Sequence, residues 1–372
     1  MAAMSAKNTV NSCLMKIRKI KGRTWLSIAT FVLIVVFVVA ARGQLVEAWH
    51  LLGGVNIFIL LLLIPVQFAS YYASSEIFLT YLRARGQLKK TNGLQATSMA
   101  LELNFVNHIF PSGGVSGISY MVWRLGKLGV SAGQATMAQI MRYVVQFSTF
   151  GLLLVVALVV AMLENQASNW VVVMVAIVLT ALLFVIIFGS YLVGSERRMM
   201  SFASWLTKTV NLIIKKITFG RVKQLLKIEK AERFFHEFHD DFVELKRNKK
   251  LLHKPVIWSF IFNICEILLF VVSFWAMGTH VNLAVLLIAY GAATSAGILV
   301  LTPGGAGAYE AIMVGVLVAG GMSPGAALAG VVLARAALIA GTLLTGVFAY
   351  HHALRTYGQP ADDGLKLNEK NK

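Results

Sequence analysis

The stretch Pro303 to Glu310 reads P-G-G-A-G-A-Y-E and lies between two apolar runs. Pro303 has no amide hydrogen to donate, and Gly304, Gly305 and Gly307 accept backbone angles that other residues avoid. In hydrocarbon such a break survives only where protein buries it or where it lines a wet cavity. Pro111 to Gly117 (P-S-G-G-V-S-G), with Gly113, Gly114 and Gly117, is a second break of the same kind. After each proline, 20 residues lead to a serine inside another matching string. The strings are Gly129 to Ala135 (G-V-S-A-G-Q-A) and Gly321 to Ala327 (G-M-S-P-G-A-A), and Arg142 and Arg335 follow them with one residue of slippage. The chain therefore carries an internal repeat.

Composition places that repeat in a membrane. Of 372 residues, 58% are hydrophobic and only 13% charged, which a soluble domain does not match. The net charge of +18 comes from Lys and Arg in residues 1–24, 83–90, 195–254 and 355–372, where apolar runs end. The short loops Glu164–Asn169, Gly278–Asn282 and Met322–Pro324 carry none. This asymmetry predicts cytoplasmic basic segments resting on anionic lipid, both termini inside, and no nucleic-acid partner. Cys13 and Cys265 are placed for neither a disulfide nor a metal. The first apolar run ends at Ala41-Arg42 without a small-residue cleavage site, so no removable signal is expected.

In chain order, the reading predicts a basic arm (1–24) and helices at Trp25–Ala41 and Gly54–Leu82. The pair Leu94–Phe110 and Ile118–Leu128 goes in and comes back around the first break, either as two short helices or as a re-entrant hairpin. Crossings follow at 131–163 and 169–194, then a cytoplasmic insertion of roughly two helices at 195–254. His236, Glu237, His239, Asp240 and Asp241 within it look like metal ligands but miss H-E-x-x-H by one residue, and a solvated helix face is the expectation. Helices at 255–278 and 282–301, the second break, a Gly- and Ala-rich hairpin over 304–350 and a polar tail (351–372) complete the chain. Gly315, Gly330, Gly341 and Gly346 are read as sites of close helix packing. Five crossings separate the breaks, so the second should point the opposite way across the bilayer. The expected fold is an all-α polytopic membrane protein of about 8–10 segments in two inverted repeats, 25–163 and 169–350.

Candidate site residues lie around the breaks. Asn104, Asn107, His108 and Pro111 fall at i, i+3, i+4 and i+7, one helix face, and a polar stripe at membrane depth faces other helices or water. Glu310 and Arg335 lie about 12 residues either side of the turn at 322–324, so on antiparallel helices they share a depth and can pair. Arg142 holds the equivalent place in the first repeat. Two readings of it stay open: it is free to meet a lipid phosphate, or it pairs with Glu102.

At these residues the chain resembles a known family, the flippase-like transmembrane region of lysylphosphatidylglycerol synthases and its stand-alone relatives. Pro303 to Glu310, Gly321 to Ala327 with Arg335, and the stretch Asn104 to Gly117 carry the resemblance, which covers about Trp25 to Tyr350. Where many relatives have G-E-x-x-R after the first proline, this chain reads G-G-V-S-G-I. The resemblance implies a multi-pass protein of a bacterial-type inner membrane that moves an anionic or aminoacylated phospholipid between leaflets. It implies no cofactor, no metal and no catalytic residue, because the aminoacyl transfer of the two-domain enzymes belongs to a soluble C-terminal domain expected to be missing here. A substrate path would draw on Asn104, Asn107, His108, Arg142, Tyr309, Glu310 and Arg335. Pro111, Gly113, Gly114, Gly117, Pro303, Gly304, Gly305 and Gly307 would line it. Two further functions stay open. An intramembrane transferase could use Glu76, Glu102, Glu266 or Glu310 as acid or base, and a non-catalytic membrane protein could recruit a cytoplasmic partner at 195–254. Membrane lipids are the expected partners, with a homodimer compatible.

Overall fold

The computed structural model describes residues 54–110, 115–163, 169–217, 228–299 and 307–358. The basic arm, the helix expected at Trp25–Ala41, Cys13, Pro111, Gly113, Gly114, Pro303, Gly304, Gly305 and the end of the tail lie outside these residues. Among the described residues every regular element is helical. They are α1 (Ile57–Leu60), α2 (Leu63–Ala84), α3 (Gly93–Ile109), α4 (Val115–Gly126), α5 (Ala132–Leu163), α6 (Asn169–Val193), α7 (Glu196–Ile217) and α8 (Ile228–Arg247). After a 3₁₀ turn at Lys249–Leu252 come α9 (His253–Ala276), α10 (Leu283–Leu299), α11 (Ala308–Ala319) and α12 (Pro324–Tyr357).

Five spans among the described residues are long and apolar enough to cross a membrane: Ile57–Ala84, Ala132–Val160, Val175–Val193, Lys249–Ala276 and Pro324–Tyr357. The protein is an all-α, multi-pass membrane protein. The helices flanking the breaks are shorter. α3 and α10 each have 17 residues, and α4 and α11 each have 12. Twelve residues rise about 18 Å, well short of the roughly 30 Å hydrocarbon core. Each short pair is followed by a long helix, α5 with 32 residues and α12 with 34.

The repeat extends to single hydrogen bonds. In the turn from α4 to α5, Gly129 has φ +88°, Val130 N–H donates to Leu125 O at 3.1 Å, and Gly129 N–H to Gly126 O at 3.0 Å. In the turn from α11 to α12, Gly321 has φ +96°, Met322 N–H donates to Leu317 O at 3.1 Å, and Gly321 N–H to Val318 O at 3.0 Å. Left-handed φ is what fixes glycine at both positions. The serine of each string then caps the long helix. Ser131 Oγ accepts from Gln134 N–H at 3.3 Å, and Ser323 Oγ accepts from Ala326 N–H at 3.4 Å.

The two turns sit at opposite ends of α9. The first docks on α8, where Ser131 Oγ donates to Glu237 Oε2 at 2.9 Å, and α8 leads through the 3₁₀ turn into the start of α9. The second docks against Val285, just past the end of α9, so closely that a Cβ on Gly320 would lie 2.3 Å from Val285 Cγ1. Two apolar cores follow the same division. Phe78, Tyr81, Met99, Met121, Leu125 and Met141 belong to one, and Phe270, Phe274, Leu286, Met313, Leu317 and Val331 to the other.

Three of the four glycines read as packing sites have a helix pressed against them. A Cβ on Gly330 would fall 2.1 Å from the Phe274 ring, on Gly346 2.7 Å from Phe105 Cβ, and on Gly341 2.5 Å from Gln67 Oε1. Gly315 meets nothing within 4 Å and is corrected to an open position.

The expectation of a solvated face on α8 is also corrected. Glu237 holds Ser131, just before α5, His239 Nδ1 donates to Val193 O of α6 at 2.7 Å, and Asp241 takes Arg85, just past α2, at 2.7 Å. His236 and Asp240 are the exposed members of the cluster. The cluster alternates charge because it receives the ends of three helices, a demand that spacing along one helix does not display.

Candidate functional site

Four polar groups lie between the helices, three of them with a buried charged side chain and the fourth, Glu266, half-buried. The first is built on Glu102, which is 0% exposed in the middle of α3. Its Oε1 accepts from Ser98 Oγ at 2.8 Å, and its Oε2 accepts from Tyr120 OH at 2.9 Å and Arg124 Nε at 3.0 Å. Arg124 lies on α4, and its guanidinium covers the Tyr357 ring at 3.8 Å. A buried ion pair tolerates desolvation best with its remaining groups satisfied; Ser98 and Tyr120 do this for the carboxylate, while one terminal nitrogen of Arg124 has no hydrogen-bond partner. The Glu102–Arg142 pairing left open above is thereby ruled out, because Glu102 is engaged with Arg124.

The second group joins α11 to α12. Arg335 Nε donates to Glu310 Oε1 at 2.9 Å, as the shared depth of the two residues predicts. Glu310 Oε2 also accepts from Gly307 N–H at 2.6 Å, closing the N-terminus of α11 where the helix dipole favours negative charge. The guanidinium of Arg335 stands 4.3 Å from the centre of the Tyr309 ring. Tyr309, Glu310, Arg335 and Gly307 therefore form one contiguous cluster beside the second break.

Arg142, on α5, is the third. It is 4% exposed, donates through one terminal nitrogen to Ser74 Oγ of α2 at 3.1 Å, and lies 4.3 Å over the Tyr143 ring. Its Nε and second terminal nitrogen have no hydrogen-bond partner. No carboxylate among the described residues neutralises it. One turn earlier on the same helix, the side-chain amide of Gln139 is 0% exposed with neither end partnered.

The fourth is Glu266 of α9. Its Oε1 accepts from Ser70 Oγ of α2 at 2.6 Å and its Oε2 from Tyr290 OH of α10 at 3.2 Å. Beside it, Asn263 Nδ2 reaches Gln146 O and Thr149 Oγ1 of α5 at 3.1 and 2.9 Å. Serine carries no strong periodic signal in an apolar helix, so Ser70 and Ser74 do not stand out as sites in the sequence.

The Asn104, Asn107 and His108 stripe is tied up locally. Asn104 Nδ2 donates to Ala100 O at 2.9 Å, and His108 Nδ1 donates to Asn104 O at 2.8 Å. Asn107 Oδ1 accepts from Gly117 N–H at 3.0 Å, and a Cβ on Gly117 would lie 2.3 Å from that oxygen. Gly117 is therefore a place where α4 approaches α3, fastened across the first break by Asn107. His108 alone of the three reaches toward the second cluster, lying within electrostatic range of Arg335.

Five helices long and apolar enough to cross a membrane, with paired short helices and buried charges between them, define an all-α, multi-pass membrane protein. The chain belongs to the lysylphosphatidylglycerol synthase transmembrane region family, whose model matches residues 24–346. No curated protein and no solved structure is similar enough to count as a match.

Proposed function

We propose that this protein is a lipid flippase that moves an anionic or aminoacylated phospholipid between the leaflets of a bacterial-type inner membrane. The observation that carries the reading is Arg142. A buried cation without a carboxylate costs about 2.5–3.5 kcal/mol even on the lenient insertion scale. A phosphate arriving at its two spare nitrogens removes that cost through charge-assisted hydrogen bonds. The amide of Gln139 adds a neutral donor and acceptor one turn away. Placement of the two turns at opposite ends of α9 supports a pair of inverted repeats, 25–163 and 169–350, with the substrate path between them. The Lys and Arg distribution supports cytoplasmic termini and a cytoplasmic insertion at 195–254.

Reconstitution of the purified chain in vesicles with a labelled anionic phospholipid tests this. Wild type should exchange the label between leaflets, and Arg142→Gln should abolish exchange while retaining the helical circular dichroism of wild type. A chemically altered lipid would replace the reading with transferase activity. Unaltered exchange by Arg142→Gln would remove Arg142 from the path.

A further inference from the structure

Glu266 has the surroundings of a group that binds a proton. Both its oxygens meet hydroxyls, Ser70 at 2.6 Å and Tyr290 at 3.2 Å, and no described cation lies within ion-pair distance of it. An ionised carboxylate at membrane depth with two neutral donors carries several kcal/mol of uncompensated desolvation. The neutral acid fits the same frame better, accepting one hydroxyl and donating into the other.

The groups that face it come from every helix around it. Cys265 is its neighbour on α9, Tyr71 faces it from α2, Tyr290 from α10 and Tyr309 from α11, and all four interact with its charge. From α12, Arg335 is the cation within electrostatic range, and that guanidinium is bound to Glu310. His108 of α3 lies within range of the same arginine. On α5, Arg142 bonds Ser74 and lies over the Tyr143 ring, not beside Glu266. A negative Glu266 thus competes with Glu310 for Arg335, and a neutral Glu266 leaves that pair intact. Its two hydroxyl donors belong to α2 and α10, which fall in different repeats.

We propose that Glu266 is a proton-binding site that couples movement of the lipid to movement of a proton. The proton comes from water on one face, forms an O–H bond at one carboxyl oxygen, and leaves from the carboxyl to water on the other face; no other bond is made or broken. The coupling half of the inference rests on the flippase reading, whereas the proton-binding half stands without it.

The test uses the full chain in phosphatidylcholine vesicles holding NBD-labelled phosphatidylglycerol and a trapped pH dye. With one proton per lipid, a gradient of one pH unit supports about tenfold asymmetry of the label. Wild type should build that asymmetry and show proton flux dependent on the labelled lipid. Glu266→Gln, which keeps the Ser70 and Tyr290 contacts, should equilibrate the label without asymmetry or flux. Gradient response in Glu266→Gln equal to wild type, or wild-type exchange indifferent to the gradient, overturns the coupling. Difference infrared spectra of the purified protein read protonation separately. A carboxyl band that titrates between about pH 4 and 9 in wild type and is missing from Glu266→Gln supports the site. Identical spectra overturn it, even where no lipid moves and the flippase reading itself has failed.

Discussion

The regions around the two glycine turns share a turn geometry and differ in where they put their carboxylates. In the first, Glu102 of α3 pairs with Arg124 of α4, so the ion pair bridges the break and Arg142 is left over. In the second, Glu310 of α11 pairs with Arg335 of α12, so the ion pair bridges the turn and uses the arginine equivalent to Arg142. Backbone constraints kept Gly129 with Gly321 and Ser131 with Ser323, because only certain residues make those turns and caps. Charge had no such constraint. One region closes an ion pair at the position where the other keeps an arginine without a carboxylate.

Breaking the deepest pair should have the largest effect on stability. Glu102→Gln or Arg124→Gln should each cost about 3–5 kcal/mol in the purified protein, since each strands a buried charge. Chemical denaturation in detergent measures this, and a loss below 1 kcal/mol would show that the first pair is no anchor.

The second pair is slightly more exposed, with side-chain values of 13% and 8%. Glu310→Gln and Arg335→Gln should each cost about 2 kcal/mol, and the double mutant less than their sum. Strict additivity in that cycle would separate the two residues. Arg142→Gln should leave the protein at least as stable as wild type, because it removes an uncompensated buried cation along with only one hydrogen bond to Ser74. If Arg142→Gln unfolds the protein while Glu310→Gln is silent, the roles of the two halves are exchanged.

The smallest effect concerns pH and the helix that receives the first turn. Burial pushes the Asp241 carboxyl up to about 6, against the pull of Arg85. A raised carboxyl binds its proton more tightly in the folded state than in the unfolded one. Its contribution is therefore fully present below about pH 4 and lost as pH rises through about 6. The melting temperature of wild type relative to Asp241→Asn should accordingly fall between about pH 4 and 6.5. A flat difference would show that Asp241 does not titrate in this window.

Much of the helix layout was legible. The expected crossing at 131–163 is α5 at Ala132–Leu163, and that at 169–194 is α6 at Asn169–Val193. The Glu310–Arg335 pair was legible because residues equidistant from a tight turn meet on antiparallel helices. The same counting would have found Glu102 and Arg124, which are equidistant from Gly113 in the first break. Trp123 and Lys127 on either side of Arg124 give it the look of a membrane-interface residue instead. The polar stripe was misleading for another reason. Asn and His side chains can bond their own helix, and periodicity fixes which face they occupy but not whether that face is already satisfied. The docking of α8 was illegible because its partners are ends of three helices remote in sequence.

That docking has a mechanical consequence. α8 clasps the end of α2 through Asp241, the start of α5 through Glu237 and the end of α6 through His239. The turn at 320–323, by contrast, borders a hollow lined by His280, Asn282, Val285 and Leu317. Where the molecule flexes, the helix ends held by α8 form the stator, and α11 with α12 form the rotor. Helix α9, with a turn at each end, is then the shaft on which they swing.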